Sequence, residues 1–330
     1  MIIYLVCSVF SLLVFLYSKN IGNKLNLIDV PDNLTKVHVG NVPLVGGIGL
    51  IITPIIYYIY LTYSDGVNRE IISILIFYFS LFIIGIVDDR VALSGYKKLL
   101  FVFIFSYIFL SMSHHHFKID EIYFYFASGF SIKLFDFWVI FLSTCFSIFI
   151  FGLNISDGKN GVTLSYSIIL LLLFYLFYYE EEIGFFISLN ILIMFIALIF
   201  NLKNLLFLGS NGVNVLCITI LLTSINLYKL KIIHFDELVL IFYIHIFEII
   251  RLFIYRFIVN QNPFKRDVNH LHHLIFRKFS TLNSVIIYNL ISFFPFFIFL
   301  ISKNIILSFI SSILIYFFIL YLLRSKTNFV

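Results

Sequence analysis

Long apolar runs dominate this sequence and constrain its fold more than any other feature. They recur throughout the 330 residues, and 62% of the chain is hydrophobic while only 12% is charged. A soluble domain of this size cannot bury so much apolar surface, whereas a run of ~20 apolar residues can cross a bilayer as a helix. The sequence therefore predicts an all-α fold, a polytopic transmembrane helical bundle. About 11 spans are predicted, at residues 2–17, 44–63, 71–87, 98–112, 137–153, 162–178, 184–200, 211–228, 237–258, 284–301 and 304–323.

No repeat and no long linker divides the chain, so we expect one integral membrane domain over residues 1–330. Residues 119–135 differ from the runs because their apolar and polar side chains alternate around a Ser-Gly pair. This pattern predicts a small hairpin at the membrane interface. The three cysteines, Cys7, Cys145 and Cys217, lie inside apolar runs without metal-binding or redox spacing, which indicates small core side chains.

Basic residues are distributed unevenly between the two sets of loops. When the loops are taken alternately, one set holds 15 of the 22 Lys and Arg residues, the other holds 6, and one lies within a span. Because cytoplasmic loops carry the excess of Lys and Arg in membrane proteins, the first set is predicted to be cytoplasmic. It comprises residues 18–43, 88–97 with the adjoining Lys98, 154–161, 201–210, 255–283 and the tail from residue 324.

Every unusual polar cluster falls in this cytoplasmic set, which indicates a composite site on one membrane face. Asp88 and Asp89 directly follow an apolar run. Two adjacent carboxylates at a membrane boundary repel each other and lose hydration, so they require a cation or a basic partner. Their oxygens suit Mg²⁺, which commonly takes one or two carboxylates. The alternative is a solvated pair of acids beside Arg90.

Asn154 and Asp157 follow the fifth run and are three residues apart. If the helix of that run continues, both side chains lie on one face. Gly158 then permits a sharp departure of the chain or the close approach of a ligand. A helix C-cap followed by a turn is the alternative interpretation.

Three histidines, His270, His272 and His273, lie in the longest cytoplasmic loop. No nearby Cys or acid completes a zinc set in good order, so donation to phosphate or sugar oxygens is the favoured interpretation. A basic interfacial loop without such a role is the alternative. Lys36 and His38 precede a Gly-Gly turn into the second span, which is a weak signal for anion binding.

In order and spacing, five segments resemble the polyprenyl-phosphate N-acetylhexosamine-1-phosphate transferases, a membrane superfamily that starts lipid-linked cell-envelope glycans. The His-Leu-His-His form is similar to the branch that uses donors of the UDP-N-acetylglucosamine type. The matching segments are DVPDNLTKVHVGNVPLVGG (29–47), GIVDDRVALS (85–94), FGLNISDGKNG (151–161), FNLKNLLFLGSNG (200–212) and NPFKRDVNHLHHLI (262–275).

The resemblance implies transfer of a sugar 1-phosphate from a UDP-sugar to undecaprenyl phosphate, with release of UMP, at the cytoplasmic face of the bacterial inner membrane. It implies Mg²⁺, or Mn²⁺ in its place, as the cofactor. The expected partners are both substrates and the lipid bilayer; no nucleic acid is expected, and a homodimer stays open. The implied catalytic and metal-binding residues are Asp88, Asp89 and Asp157. The implied substrate-binding residues are Lys36, His38, Asn154, Asn201, His270, His272 and His273.

The sequence departs from the family pattern where the family has acids. The second acid of its Asp-Gly-x-Asp-Gly motif is Asn160 here, and its usual main Mg²⁺ ligand is replaced by Ser210. Glu248 stands inside the ninth run, where the family often has aspartate. Loss of two carboxylates predicts weaker Mg²⁺ binding, by at least ~10-fold. The alternatives to a working transferase are a degenerate member that binds lipid phosphate or nucleotide without turnover, and a transporter.

Overall fold

A computed structural model describes residues 2–31, 40–127, 129–179, 181–264 and 269–324. Regular structure in these ranges is helical apart from two short hairpins, which confirms the predicted all-α fold class. The helices are α1 (Ile2–Leu16), α2 (Ser18–Leu25), α3 (Gly46–Leu50), α4 (Ile52–Asp65), α5 (Arg69–Val91), α6 (Gly95–Met112), α7 (His114–Phe117), α8 (Trp138–Ser156), α9 (Val162–Phe177), α10 (Glu181–Leu202), α11 (Gly209–Lys229), α12 (Phe235–Ile241), α13 (Tyr243–Ile258), α14 (Leu271–Phe276), α15 (Thr281–Ser302) and α16 (Ile305–Arg324).

The described helices contain somewhat fewer membrane spans than the predicted 11. Eight are long and apolar enough to cross a membrane, and the number rises to ten if each of two bent pairs forms one span. The bent pairs are α1 with α2, at 68°, and α12 with α13, at 69°. The remaining predicted run forms α9, whose 16 residues reach only about 24 Å at the helical rise of ~1.5 Å per residue. The chain is thus a multi-pass membrane protein.

Two hairpins accompany the helices. Strands β1 (Ile28–Asp29) and β2 (Val42–Pro43) pair antiparallel beside α2. Strands β3 (Glu121–Tyr123) and β4 (Ser131–Lys133) also pair antiparallel, which confirms the hairpin predicted within residues 119–135. The Asp236 carboxylate of α12 accepts hydrogen bonds from the backbone N–H groups of Tyr125 and Phe126, and so fixes this second hairpin to the helices.

Helix α11 lies at the centre of the bundle and is buried along almost its whole length. It packs against α3, α5, α8 and α9. Two glycines permit this close packing. A Cβ atom at Gly85 of α5 would lie 2.3 Å from Asn211 Cα, and one at Gly47 of α3 would lie 2.4 Å from the Gly212 backbone nitrogen. The start of α11 is thereby held against the end of α5.

Several helix ends meet at one end of the bundle. Helix α5 extends through Asp88 and Asp89 and ends at Ala92, which adopts left-handed φ 53°. A short turn follows, and the Ser94 side chain caps α6 by accepting from the Lys97 backbone N–H. This turn brings the first residues of α6 back beside the carboxylates. The hairpin of β3 and β4 lies at the opposite end, because α8 begins near it and runs to the site.

Candidate active site

Asp88 is the most enclosed acid of the site, with 5% of its surface exposed. One carboxylate oxygen, Oδ2, contacts the Lys98 ammonium group of α6 and accepts a hydrogen bond from the Ser210 hydroxyl of α11. The other oxygen, Oδ1, accepts from the Leu93 backbone N–H at 2.9 Å. A carboxylate in the last turn of a helix faces the negative end of its dipole, so this basic partner offsets an unfavourable position.

Asp89 has a different environment, because its carboxylate faces the start of α11. Its Oδ1 accepts from the Ser210 backbone N–H at 2.7 Å. Its Oδ2 accepts from the Asn211 backbone N–H at 3.1 Å and from Asn211 Nδ2 at 2.5 Å. The first N–H groups of a helix lack intrahelical partners and carry partial positive charge, so an acid is favoured there. Asp89 therefore joins α5 to α11 through both of its oxygens.

A chain of amides lies beneath Asp88. Asn154 Nδ2, in the last turn of α8, donates to the Ile150 carbonyl at 2.9 Å and to Asn214 Oδ1 at 3.3 Å. Asn214 Nδ2 in turn donates to the Leu81 carbonyl at 2.8 Å. These bonds connect α8, α11 and α5. A cavity of about 20 Å³, lined at its polar end by Asp88, Lys98, Ser147, Asn154, Ser210 and Asn214, has room for about one water molecule.

Asp157 caps α8 directly after the amide chain and is half-buried. Burial raises the pKa of its carboxyl group to about 8, and the negative charge of Asp89 contributes in the same direction. The carboxyl group is therefore largely protonated at neutral pH and can donate a hydrogen bond. Asp157 thus occupies the C-cap position that was the alternative interpretation, and the charges of Asp89 and Lys98 act on its carboxyl group.

The three histidines form one cluster at the start of α14. The rings of His270 and His272 are parallel within 8°, with centroids 5.6 Å apart, and the ring of His273 lies 4.2 Å from that of His272. A Cβ atom at Gly158 would lie 2.5 Å from His272 Nε2 and 2.9 Å from His273 Nε2. The cluster thus packs against the loop that follows Asp157, and only glycine leaves room for it.

Burial opposes protonation of His272, the middle histidine of the cluster. Burial lowers the pKa of His272 well below its ordinary value, and the neighbouring charges of His273, His270 and Lys159 act in the same direction. Burial likewise lowers the pKa of Lys159, with Arg277 adding to the effect. His272 Nε2 is buried and has no hydrogen-bond partner among the described residues. Such a group favours an anionic or hydrogen-bonding ligand.

The remaining predicted site residues lie elsewhere. Asn201 is buried; its Oδ1 accepts from the Gly161 backbone N–H at 2.7 Å and its Nδ2 donates to the Leu206 carbonyl at 3.1 Å. It therefore joins two loops beside the site. Asn160 Nδ2 donates to Asn204 Oδ1 at 2.5 Å. Lys36 and His38 lie outside the described residues.

Sequence reasoning missed two residues that the structure brings to the carboxylates. In the sequence Lys98 is only a charge at a span junction, although the three residues between α5 and α6 require the helices to be neighbours. That short connection was the available signal. Asn211 carried no signal of its own, because its contact with Asp89 depends on how α11 meets α5.

The oxygen donors of the site fit a divalent cation only in part. Among the residues that the structure describes, no three His, Cys, Asp or Glu side chains are grouped to hold a metal ion. Asp89 is engaged by α11, whereas Asp88 already carries a cation, the Lys98 ammonium group, at its Oδ2. Since Mg²⁺ commonly takes one or two carboxylates and completes its shell with water and phosphate, Asp88 fits one such ligand position. The predicted set of three carboxylates stays a prediction.

The sequence model of glycosyl transferase family 4 matches residues 71–228. Over these residues, somewhat less than half of the chain, the sequence is similar to glycosyl transferase family 4. The match confirms the resemblance to the polyprenyl-phosphate hexosamine-1-phosphate transferases and supports a transferase activity. It spans both α5 carboxylates, Asp157 and Ser210, while the histidine cluster lies beyond it. Family members are generally Mg²⁺-dependent. Among curated proteins, no sequence matches the chain.

Proposed function

We propose that this family 4 protein transfers an N-acetylhexosamine 1-phosphate from a UDP-sugar to undecaprenyl phosphate and releases UMP. The observation that carries the proposal is the convergence of Asp88, Lys98 and the histidine cluster at one end of the bundle, where several helix ends meet. Both substrates are phosphate anions, so much of the barrier is charge repulsion, which positioned cationic groups and hydrogen-bond donors relieve.

The reaction exchanges one phosphorus–oxygen bond for another. An oxygen of the lipid phosphate attacks the sugar-side phosphorus of the UDP-sugar and forms a new diphosphate bond. The bond between that phosphorus and the bridging oxygen breaks, and UMP leaves with the electron pair. Atoms and charge balance without an oxidant or a water molecule. If the lipid phosphate arrives with one proton, that proton must pass to a base.

Asp88 is the proposed group that positions the lipid phosphate and accepts this proton. Its carboxylate is held by Lys98, Ser210 and the Leu93 backbone, so its direction is fixed. Lys98 is only partly exposed and would move from the carboxylate to a substrate phosphate when both ligands bind. When Mg²⁺ is bound, Asp88 would be its protein ligand, and the ion would neutralise charge on the diphosphate.

The protonated Asp157 and the histidine cluster are the proposed contacts to the donor. At neutral pH the Asp157 carboxyl group can donate a hydrogen bond to a phosphate oxygen without adding negative charge. His272 and His273 present Nε2 atoms beside Gly158, where a phosphate or sugar oxygen can be bound. We propose that this end of the bundle faces the cytoplasm of a bacterium, with the β3–β4 hairpin on the outside.

The test is UMP release by the purified protein in lipid nanodiscs supplied with undecaprenyl phosphate, Mg²⁺ and labelled UDP-sugars. Asp88→Asn removes the charge without removing volume and is expected to lower turnover at least ~100-fold, the scale of general base catalysis. Asp120→Asn is the matched control, because Asp120 is an exposed acid at the opposite end of the bundle. Equal turnover of Asp88→Asn and wild type would contradict the proposal.

One observation favours a second candidate, a non-catalytic member that binds ligands only. The Ser210 hydroxyl and the Lys98 ammonium group together fill the side of Asp88 on which family members place a further acid. Binding of UDP-sugar or undecaprenyl phosphate without UMP release, at any Mg²⁺ concentration and with every UDP-sugar, would favour this candidate over the transferase.

A further inference from the structure

Glu248 is a buried acid that the proposed reaction does not use. It lies in α13 with 2% of its surface exposed, between the bend of the α12–α13 pair and the histidine cluster. An ionisable side chain at such depth requires partners. Arg251 supplies two: its Nε lies 3.1 Å from Glu248 Oε1 and its Nη2 lies 3.0 Å from Oε2. The Tyr316 hydroxyl of α16 donates to Oε1 as well. We name Glu248, Arg251 and Tyr316 the clasp.

The clasp holds the backbone on both sides of His270. Before it, Arg251 Nη2 donates to the Asn269 carbonyl at 2.9 Å. After it, the Leu271 backbone N–H donates to Glu248 Oε2 at 3.1 Å. His270 Nδ1 itself lies 3.6 Å from the same carboxylate oxygen.

The third member of the clasp belongs to the last helix of the bundle. Arg251 Nε donates to the Tyr316 hydroxyl at 2.8 Å, so the tyrosine contacts both charged groups. Tyr316 is fully buried, and α16 is otherwise the partner of α12, α14 and α15. The position of the loop that starts α14 is therefore set jointly by α13 and α16.

A buried ion pair is poor evidence for stability alone, because apolar side chains of similar volume often replace such pairs without loss. Here the donors and acceptors of the pair are directed at the two peptide groups that flank one histidine. The carboxylate also lies on the Nδ1 side of the His270 ring, at a separation longer than a direct hydrogen bond, where its charge favours this orientation of the ring. Because His270 stacks on His272, its orientation is passed to the rest of the cluster.

We infer that the clasp is a positioning device, through which Glu248, Arg251 and Tyr316 orient the histidine cluster toward the phosphate groups of the substrates. Glu248 directs His270 Nδ1 toward itself and leaves the other ring nitrogen for the ligand side. Tyr316 fixes the carboxylate in this direction. The inference rests on the proposed function for its catalytic consequence, while the order that the clasp imposes on residues 269–276 is independent of it.

The experiment compares two tyrosine-to-phenylalanine variants in nanodiscs. Tyr316→Phe removes only the hydroxyl group of the clasp. Tyr243→Phe is the matched control, because Tyr243 is an equally buried tyrosine of α13 whose hydroxyl donates to the Ile291 carbonyl, away from the cluster. The readouts are thermal unfolding, hydrogen exchange of the peptide that covers residues 269–276, and kcat and KM for both substrates.

Both variants are expected to lower the unfolding temperature by similar amounts. Only Tyr316→Phe should speed exchange of the Leu271 amide and lower kcat, by about tenfold, with KM within about twofold, because small displacements of catalytic groups cost rate. Exchange and kcat equal to those of Tyr243→Phe would overturn the inference, and so would faster exchange with unchanged kcat. If wild type releases no UMP, the proposed function fails, and the exchange comparison alone decides whether the clasp orders the loop.

Discussion

Ser210→Asp returns a carboxylate to the position where this chain departs most from its family. Ser210 starts α11, and its hydroxyl donates to Asp88 while lying 3.4 Å from the Lys98 ammonium group. The new acid would contact Asp88 directly. Two like charges ~4 Å apart repel each other by about 4 kcal/mol at an effective dielectric constant of ~20. Lys98 and the positive start of α11 offset part of this, so we expect a net destabilisation of about 1–3 kcal/mol without divalent cations.

Mg²⁺ should reverse this destabilisation, because the two carboxylates would then share one cation. The assay is thermal unfolding in chelator and across a Mg²⁺ titration, together with the Mg²⁺ concentration that gives half-maximal UMP release. We expect this concentration to fall by about tenfold, which corresponds to about 1.4 kcal/mol. A Mg²⁺ concentration of ~100 times the dissociation constant should raise the free energy of unfolding of Ser210→Asp by about 2.7 kcal/mol. Ser210→Asn is the control, since it has the same shape without the charge.

A clearly Mg²⁺-dependent wild-type turnover would contradict this prediction if Ser210→Asp left that dependence unchanged or destroyed activity. An equal effect of Ser210→Asn would also refute it, since charge would then be irrelevant. Asn160→Asp, by contrast, is not expected to add to the gain. Although Asn160 stands at the other lost family acid, its amide is directed to Asn204, and the substitution exchanges that hydrogen bond for a charge.

Three further predictions concern single groups. Lys98→Met should lower turnover at least ~10-fold, because Lys98 contacts Asp88. Lys97→Met should leave turnover within about twofold of wild type, because Lys97 is exposed. The free energy of unfolding should fall between about pH 4 and about pH 8. Burial raises the pKa of Asp157 in the native state to about 8, so in this range the native state binds a proton that the unfolded state has lost. Asp157→Asn should flatten this fall, and an unchanged slope in the variant would contradict the assignment. In intact cells with the native cysteines replaced, an impermeant thiol reagent should label a cysteine at Lys118 but not one at Lys97, and the reverse pattern would invert the proposed orientation.

The pattern of apolar runs was sufficient to predict the helical fold, because a chain segment that crosses a bilayer has few alternatives to a helix. Each predicted run coincides with a described helix, and the error lies in which of them are long and straight enough to span. The bend between α12 and α13 falls at Phe242, where the sequence has neither Pro nor Gly to announce it. The local sequence therefore gave no signal from which the bend could be predicted.

The sequence indicates candidate residues for the site but not the contacts that they make. Asp88 and Asp89 are adjacent in sequence and look equivalent there. Successive residues of a helix point about 100° apart, so one acid meets α6 and the other meets α11. The contacts of each acid therefore depend on the packing of three helices. The same holds for Glu248, which reads as a functional acid in the sequence and is bound by Arg251 in the structure.

The charge of the site predicts how a divalent cation would enter it. The positive charge of Lys98 offsets the negative charge of Asp88, and the partial positive charge at the start of α11 offsets that of Asp89. The pKa of Asp157 is raised to about 8, so its carboxyl group is mostly neutral at pH 7. The protein alone therefore offers little net negative charge to Mg²⁺. Under the proposed function, a diphosphate substrate would bring the missing charge and would draw Lys98 toward itself, so that the Asp88 carboxylate could bind the ion.

Mg²⁺ and nucleotide should accordingly bind as coupled ligands. We expect a saturating concentration of UDP to tighten Mg²⁺ binding by at least ~10-fold, and linkage requires Mg²⁺ to tighten UDP binding by the same factor. Isothermal titration of the protein with Mg²⁺, with and without UDP and corrected for Mg²⁺ binding to free UDP, measures both. Lys98→Met should raise the Mg²⁺ affinity measured without UDP, since it leaves Asp88 without its internal cation. Tight Mg²⁺ binding by wild type that UDP does not change would mean that the protein has a resident metal site, built from residues other than Asp88.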